Sequence, residues 1–237
     1  MEVDHITDTL AKEIYDLVNK HPGLSTRLTA SGYEISGVFE FYATHNGIII
    51  QDEYQILMQI PLDYPKNLPY VFERGKKIPE GFDHVSYDGT LCLGVPMEIR
   101  QSLLEEPSLS GFVERYLISY LYSASHFRKY GTYPYGDRAH GVDGIYEYYY
   151  DLFGTKDRSV VHQLLLLVYE DNYRGHHLCP CGSKLRLRKC HGPSLMRVVL
   201  NTDLKSQAMV DLAIMAKNME EKYERYRKKN PTSTQRF

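Results

Sequence analysis

The chemistry available to this sequence is concentrated in sulfur. Of four cysteines in 237 residues, three (Cys179, Cys181 and Cys190) fall within twelve residues and are followed directly by His191, while Cys92 stands alone. Three soft thiolates and an imidazole form the ligand set of a closed, tetrahedral structural zinc site. Zinc is therefore expected at Cys179, Cys181, Cys190 and His191 in a structural or partner-binding role, with no position open for a hydrolytic water. Gly182 and Ser183 suit a tight turn after the first pair, and Lys184, Arg186, Arg188 and Lys189 give the segment a basic face. His176 and His177 are read as solvated polar side chains rather than as replacements for His191. Cys92 poses a separate question. A lone cysteine is ordinarily a small buried hydrophobe, but one that is exposed on a rigid loop, away from competing thiols, can attack an acyl group and hold it.

The elements that must position these residues are written in the hydrophobic pattern. Val3, Ile6, Leu10, Ile14 and Leu17 recur in steps of three and four, which predicts an N-terminal amphipathic helix. From Tyr33 the period changes to two, with Ile35, Phe39 and Phe41 alternating with polar residues up to a tight turn at Asn46-Gly47. Further strands are expected at Ile48–Ile50 and Tyr54–Ile60, then a loop bracketed by Pro65 and Pro69, then a short strand at Tyr70–Phe72. Beyond Ser108 the spacing is helical, with Ser108 or Ser110 available as N-cap. Lys129–Asp151, rich in Tyr and Gly, is read as an ordered loop. Val160–Tyr169 is read as a buried helix, and Leu204–Lys229 as a polar helix with an apolar side of Met209, Leu212, Ile214, Met215 and Met219. The last residues, NPTSTQRF, are expected to be disordered. This pattern is α+β.

Helix, meander, proline loop, and then His84, Asp88-Gly89 and a cysteine between Leu91 and Leu93 in HVSYDGTLCLG resemble the catalytic core of ubiquitin-conjugating enzymes. YQILMQIPLDYPKNLP looks like that family's third strand and its Tyr-Pro turn, here Tyr64, Pro65 and Pro69, and the likeness covers residues 33–94. It implies that Cys92 is the acyl-accepting nucleophile and that His84 opens the family's His-Pro-Asn motif, where it shapes the loop. Val85 replaces the proline and Ser86 the asparagine, and the His84-to-Cys92 distance is two residues shorter than in most eukaryotic members. The tetrahedral oxyanion of transfer then needs another donor, with Ser86, Tyr87 or a backbone N–H as candidates. Asp88-Gly89 is expected to make the turn that presents Cys92. CPCGSKLRLRKCHG likewise resembles the SEC-C motif, a short zinc module.

These likenesses define an α+β chain with a ubiquitin-conjugating-like core (N-terminal helix, antiparallel meander, C-terminal helices) and a small zinc module. The expected domains are a catalytic domain at 1–170, the zinc module at 171–195, and a C-terminal helix and flexible tail at 196–237. The variant loop resembles the prokaryotic branch of the family, members of which are encoded beside cGAS-like nucleotidyltransferases in CBASS anti-phage operons. The implied partner is a protein substrate such as a cGAS-like nucleotidyltransferase. The chain contains no Gly-rich nucleotide-binding motif, so adenylation falls to a partner. Two competing readings are a non-catalytic adaptor that docks through its zinc module and a thiol hydrolase pairing Cys92 with His84 or His126. His126 and His140 are, equally, weaker candidates for reaching the thiol.

Composition narrows the remaining choices. Apolar residues at 43% are ordinary for a chain with a core. Lys plus Arg at 28 against Asp plus Glu at 30 offers no basic surplus, so no specific nucleic-acid partner is expected. No apolar run spans a bilayer, MEVDHITDTL lacks the features of a secretory signal, and the cysteines do not read as a disulfide framework. A cytoplasmic protein without membrane attachment is the expectation.

Overall fold

In a computed structural model, which describes residues 2–136, 139 and 141–230, the chain divides into two compact units, Met1–Arg138 and Ala139–Phe237. The division falls well before the expected boundary at residue 170, because the two helices that follow Arg138 pack with the C-terminal helices.

The first unit is a helix, a meander and more helices. Helix α1 (Glu2–Lys20) buries Leu10, Ile14 and Leu17, as the stripe predicts. Strands β1 (Leu24–Thr29), β2 (Gly32–His45), β3 (Ile48–Pro61) and β4 (Tyr70–Glu73) form an antiparallel sheet in chain order. β2 and β3 meet at His45↔Ile48, and the connecting Asn46 and Gly47 both take positive φ (47° and 77°), the primed turn that matches strand twist. β1 escapes the hydrophobic pattern because it is an edge strand in which only Leu24 is buried. Gly37 lets β1 approach, since a Cβ there would lie 2.1 Å from the Gly23 carbonyl oxygen.

β3 is one strand where the pattern suggests two. Asp52 occupies the face shared by buried Ile50 and Tyr54, which interrupts the apolar alternation without breaking the ladder. Its carboxylate is neutralised there by Lys77 Nζ (2.6 Å) and Arg128 (2.5 Å), and it accepts a hydrogen bond from Ser125 Oγ (2.6 Å). Burial opposes ionisation of Asp52, but these partners outweigh it and hold the carboxyl down to about 2.

After the sheet come α2 (Pro96–Glu105), α3 (Leu109–Phe112), a π-helical turn at Val113–Ile118 and α4 (Ser119–Tyr130). Ser108 is the N-cap of α3, accepting from the Gly111 N–H at 3.1 Å. The core gathers Ile35, Phe39, Met58, Leu109, Leu117 and Leu121, all fully buried.

The second unit is helical: α5 (Gly141–Phe153), α6 (Arg158–Tyr169), a 3-10 turn at Leu187–Lys189, α7 (Gly192–Val199) and α8 (Thr202–Lys229). α5 lies where a loop is expected. Ile145, Tyr149 and Phe153, four residues apart, place one apolar stripe inward, and the glycines and a run of tyrosines mask that period. Asp157 caps α6 and Asn201 caps α8 through their side-chain oxygens. Tyr149 and Gln207 donate to the fully buried Asp211 carboxylate at 2.9 and 2.8 Å. On α8 the buried residues are Leu204, Gln207, Ala208, Asp211, Leu212 and Met215, so Ile214 and Met219, expected on the apolar side, are exposed. Of the tail expected to be disordered, residues 231–237 lie outside the described residues. No described helix is long and apolar enough to cross a membrane.

The Asp52 cluster fixes a sign. Its depressed carboxyl contributes stability that is complete above the unfolded value of 3.8 and is lost as pH falls toward 2. Asp52→Asn is expected to cost about 2 kcal/mol at pH 7 by urea unfolding and to flatten the acid limb of stability against pH. An unchanged acid limb overturns the assignment.

Candidate functional site

Three backbone hydrogen bonds close residues 84–92 into a small hairpin. Ser86 N–H donates to the Thr90 carbonyl (2.8 Å) and Gly89 N–H to the Ser86 carbonyl (2.9 Å), closing a tight turn with Gly89 at φ 85°. Asp88 Oδ1 accepts from the Thr90 N–H (3.0 Å) and hydroxyl (2.6 Å), and the hydroxyl contact leads in lowering its pKa. Cys92 N–H then donates to the His84 carbonyl at 2.9 Å, and Leu91 N–H to the Val71 carbonyl at 2.8 Å, which ties the small hairpin to β4. Tyr120 on α4, kept protonated by burial, donates its hydroxyl to the same His84 carbonyl at 2.9 Å.

The thiol of Cys92 is half-buried at the end of this hairpin. Burial pushes it above its ordinary value near 9, against the opposing hydrogen bond from the Gly94 N–H. The His84 ring lies between aromatic neighbours, 5.1 Å from Phe82 and 5.4 Å from Tyr133 between centroids. Its carbonyl accepts from both the Cys92 N–H and the Tyr120 hydroxyl. Ser86 contributes both backbone groups to the turn and is exposed, and Asp88 organises the turn. His126 is buried in α4, with Nδ1 2.8 Å from the Thr132 carbonyl, in a structural position. His140 lies outside the described residues. Tyr120 and Gly94 carry no signal in the sequence: one looks like an ordinary core tyrosine and the other acts through its backbone.

The second constellation is in the helical unit. After α6 the chain folds back on itself, with Cys179 N–H donating to the Leu185 carbonyl (2.8 Å) and Leu187 N–H to the His177 carbonyl (2.8 Å). Gly182, at φ 76°, makes the intervening bend. The 3-10 turn then delivers Cys190 and His191 just ahead of α7. Cys179 Sγ lies 3.1 Å and Cys190 Sγ 3.3 Å from His191 Nδ1, Cys181 Sγ lies 3.5 Å from Cys190 Sγ, and all four ligand atoms fall within 4.8 Å of one another. A tetrahedral ion with thiolate and imidazole bonds of ~2.0–2.3 Å separates its ligands by roughly 3.5–3.8 Å, so the group can hold a metal ion after side-chain adjustments of up to about 1 Å. Ser183 Oγ, 3.4 Å from Cys190 Sγ, is a neighbour in the next layer. His176 and His177 meet edge to face, 4.6 Å between centroids, and are not members of the group. Beside it, α6 and the metal loop line a cleft of about 270 Å³ that includes Leu166, Leu167, Arg174, His177, Leu178 and Leu187.

No protein-family model matches the chain, and no curated protein matches it at a significant level.

Two outcomes follow from this geometry. The purified protein is expected to carry one metal ion per chain by elemental analysis, and Cys179→Ala or Cys190→Ala to lose it while Cys92→Ala keeps it. Metal retained in both cluster variants refutes the site. In the metal-loaded protein, alkylation of Cys92 followed by mass mapping is expected to titrate above the ordinary thiol value near 9; a midpoint below it contradicts the burial argument.

Proposed function

We propose that this chain is a ubiquitin-conjugating-like thioester transferase in which Cys92 is the acyl carrier. The observation that carries the reading is the placement of Cys92: a half-buried thiol, alone in its unit, at the end of a hairpin locked to β4 and α4 by the Cys92, Leu91 and Tyr120 hydrogen bonds. The order of elements around it, helix, meander, proline loop, hairpin and helices, is the order that the family resemblance requires.

In the first step Cys92 Sγ attacks the carbonyl of an activated protein C-terminus. The S–C bond forms, the thiol proton passes to solvent, and AMP or a partner's thiolate leaves. An amine then attacks the thioester, the S–C bond breaks, and an amide and the free thiol result. The adenylating partner consumes ATP, and the acyl donor we favour is the C-terminus of a cGAS-like nucleotidyltransferase in CBASS defence. The Ser86 hydroxyl, on an exposed residue of the turn, is the candidate donor for the oxyanion. The metal held by Cys179, Cys181, Cys190 and His191 is proposed to be zinc in a structural SEC-C type module: three thiolates and an imidazole match its preferences and leave no open position.

The raised Cys92 pKa supports a second reading, a non-catalytic adaptor of the same fold that docks a protein through the cleft beside the metal loop. The readings separate on a non-reducing gel. With ATP, an activating partner and the donor protein, wild type is expected to form an adduct that reduction removes and that Cys92→Ala lacks. An intact, metal-loaded protein that forms no adduct refutes the carrier and leaves the adaptor.

A further inference from the structure

The three cysteines of the metal loop are not equivalent. Cys179 is 4% exposed, out of reach of a dissolved oxidant, whereas Cys181 and Cys190 are partly open to solvent. The Cys181 and Cys190 sulfurs lie 3.5 Å apart and nine residues from each other along the chain, on either side of the bend at Gly182. An S–S bond is about 2.0 Å long, so roughly 1.5 Å of side-chain movement joins them. A bound metal holds its cysteine ligands as thiolates, and the thiolate is the form that peroxides oxidise. Two accessible thiolates side by side let one sulfur be oxidised and the other resolve it.

We propose that Cys181 and Cys190 form a peroxide-responsive pair, in which oxidation joins the two sulfurs in a disulfide and releases the metal. This modification requires the metal-bound cluster described above and is independent of the chemistry at Cys92. Written with Cys181 first, its sulfur attacks one oxygen of hydrogen peroxide. The O–O bond breaks, the sulfur becomes a sulfenic acid, and the departing hydroxide is protonated to water. The Cys190 thiolate then attacks the Cys181 sulfur, the S–S bond forms, the S–O bond breaks, and a second hydroxide is protonated to water. The reverse order balances identically. The two sulfurs together lose two electrons, the peroxide takes them, and solvent supplies two protons. Cys179 and His191 remain, two ligands where a closed site uses four, and the divalent cation is released unchanged.

Cys92 is the internal comparison. It too is partly open, but burial keeps its thiol protonated at neutral pH, and its unit contains no second cysteine. It is expected to persist as a thiol while the pair oxidises.

The test needs no substitution. The full chain, purified with its metal, is treated with a molar excess of hydrogen peroxide and quenched. A chromogenic chelator is expected to collect about one metal ion per chain. Thiols titrated after denaturation are expected to fall from four to two, because two are linked. Fragmentation mass spectrometry of the tryptic peptides is expected to place the link between Cys181 and Cys190. Dithiothreitol is expected to restore all four thiols and, with zinc added, the bound metal, a recovery that sulfinic acids would not allow. A protein that carries no metal before treatment overturns the metal site and the proposal together. Metal retained under peroxide, metal released with Cys181 and Cys190 unlinked, or a disulfide made by Cys92 or Cys179 overturns the proposal and leaves the metal site standing.

Discussion

Peptide groups taken out of water must find partners, and at residues 84–92 that requirement decides where a thiol can be. The His84 carbonyl accepts from both the Cys92 N–H and the Tyr120 hydroxyl, so one oxygen joins the base of the hairpin to α4. Leu91 N–H reaches the Val71 carbonyl and joins the same hairpin to the sheet. A buried donor or acceptor left without a partner costs about 1–3 kcal/mol, so displacing the thiol means breaking several such contacts together. The sheet, α4 and the aromatic packing of Phe82, His84 and Tyr133 can be understood as the frame that keeps this short loop in register.

The metal group solves a different problem with the same element. Residues 172–191 carry Leu187 as a buried apolar anchor, but too little apolar surface for a core of their own. A metal ion held by these four ligand atoms, which lie within 4.8 Å of one another, would replace that core by cross-linking the bend at Gly182 to the start of α7. α7 and α8 then continue from a fixed point, with Leu195 and Val198 buried against the unit.

How much of this is legible in the sequence follows the physics of each signal. The metal ligands are legible because soft ligands crowded at short spacing serve metal binding and little else, and β2, β3 and α6 because their periods are strong. β1 is silent because an edge strand with one buried residue has no alternation to show. α5 reads as a loop because Gly and Tyr occupy a helix whose inward stripe is largely aromatic. The apparent break in β3 is one residue, Asp52, whose compensating cations come from Lys77 and Arg128, far away in sequence. Tyr120 and the Gly94 N–H are hidden for a related reason: contacts made through tertiary approach or through the backbone leave no mark on residue type.

The two sulfur environments diverge through surroundings alone. Within the metal loop itself the thiols part: burial pushes Cys179 up to about 11, while at Cys181 hydrogen bonds from Ser183 outweigh burial and draw the thiol down. At Cys92 burial prevails, and the thiol is pushed upward. A less acidic thiol is ionised less often at neutral pH, yet its thiolate is the stronger nucleophile and, once acylated, the poorer leaving group. Such a thiol gains little from a donor that is not already activated, and it keeps an acyl group longer once it has one.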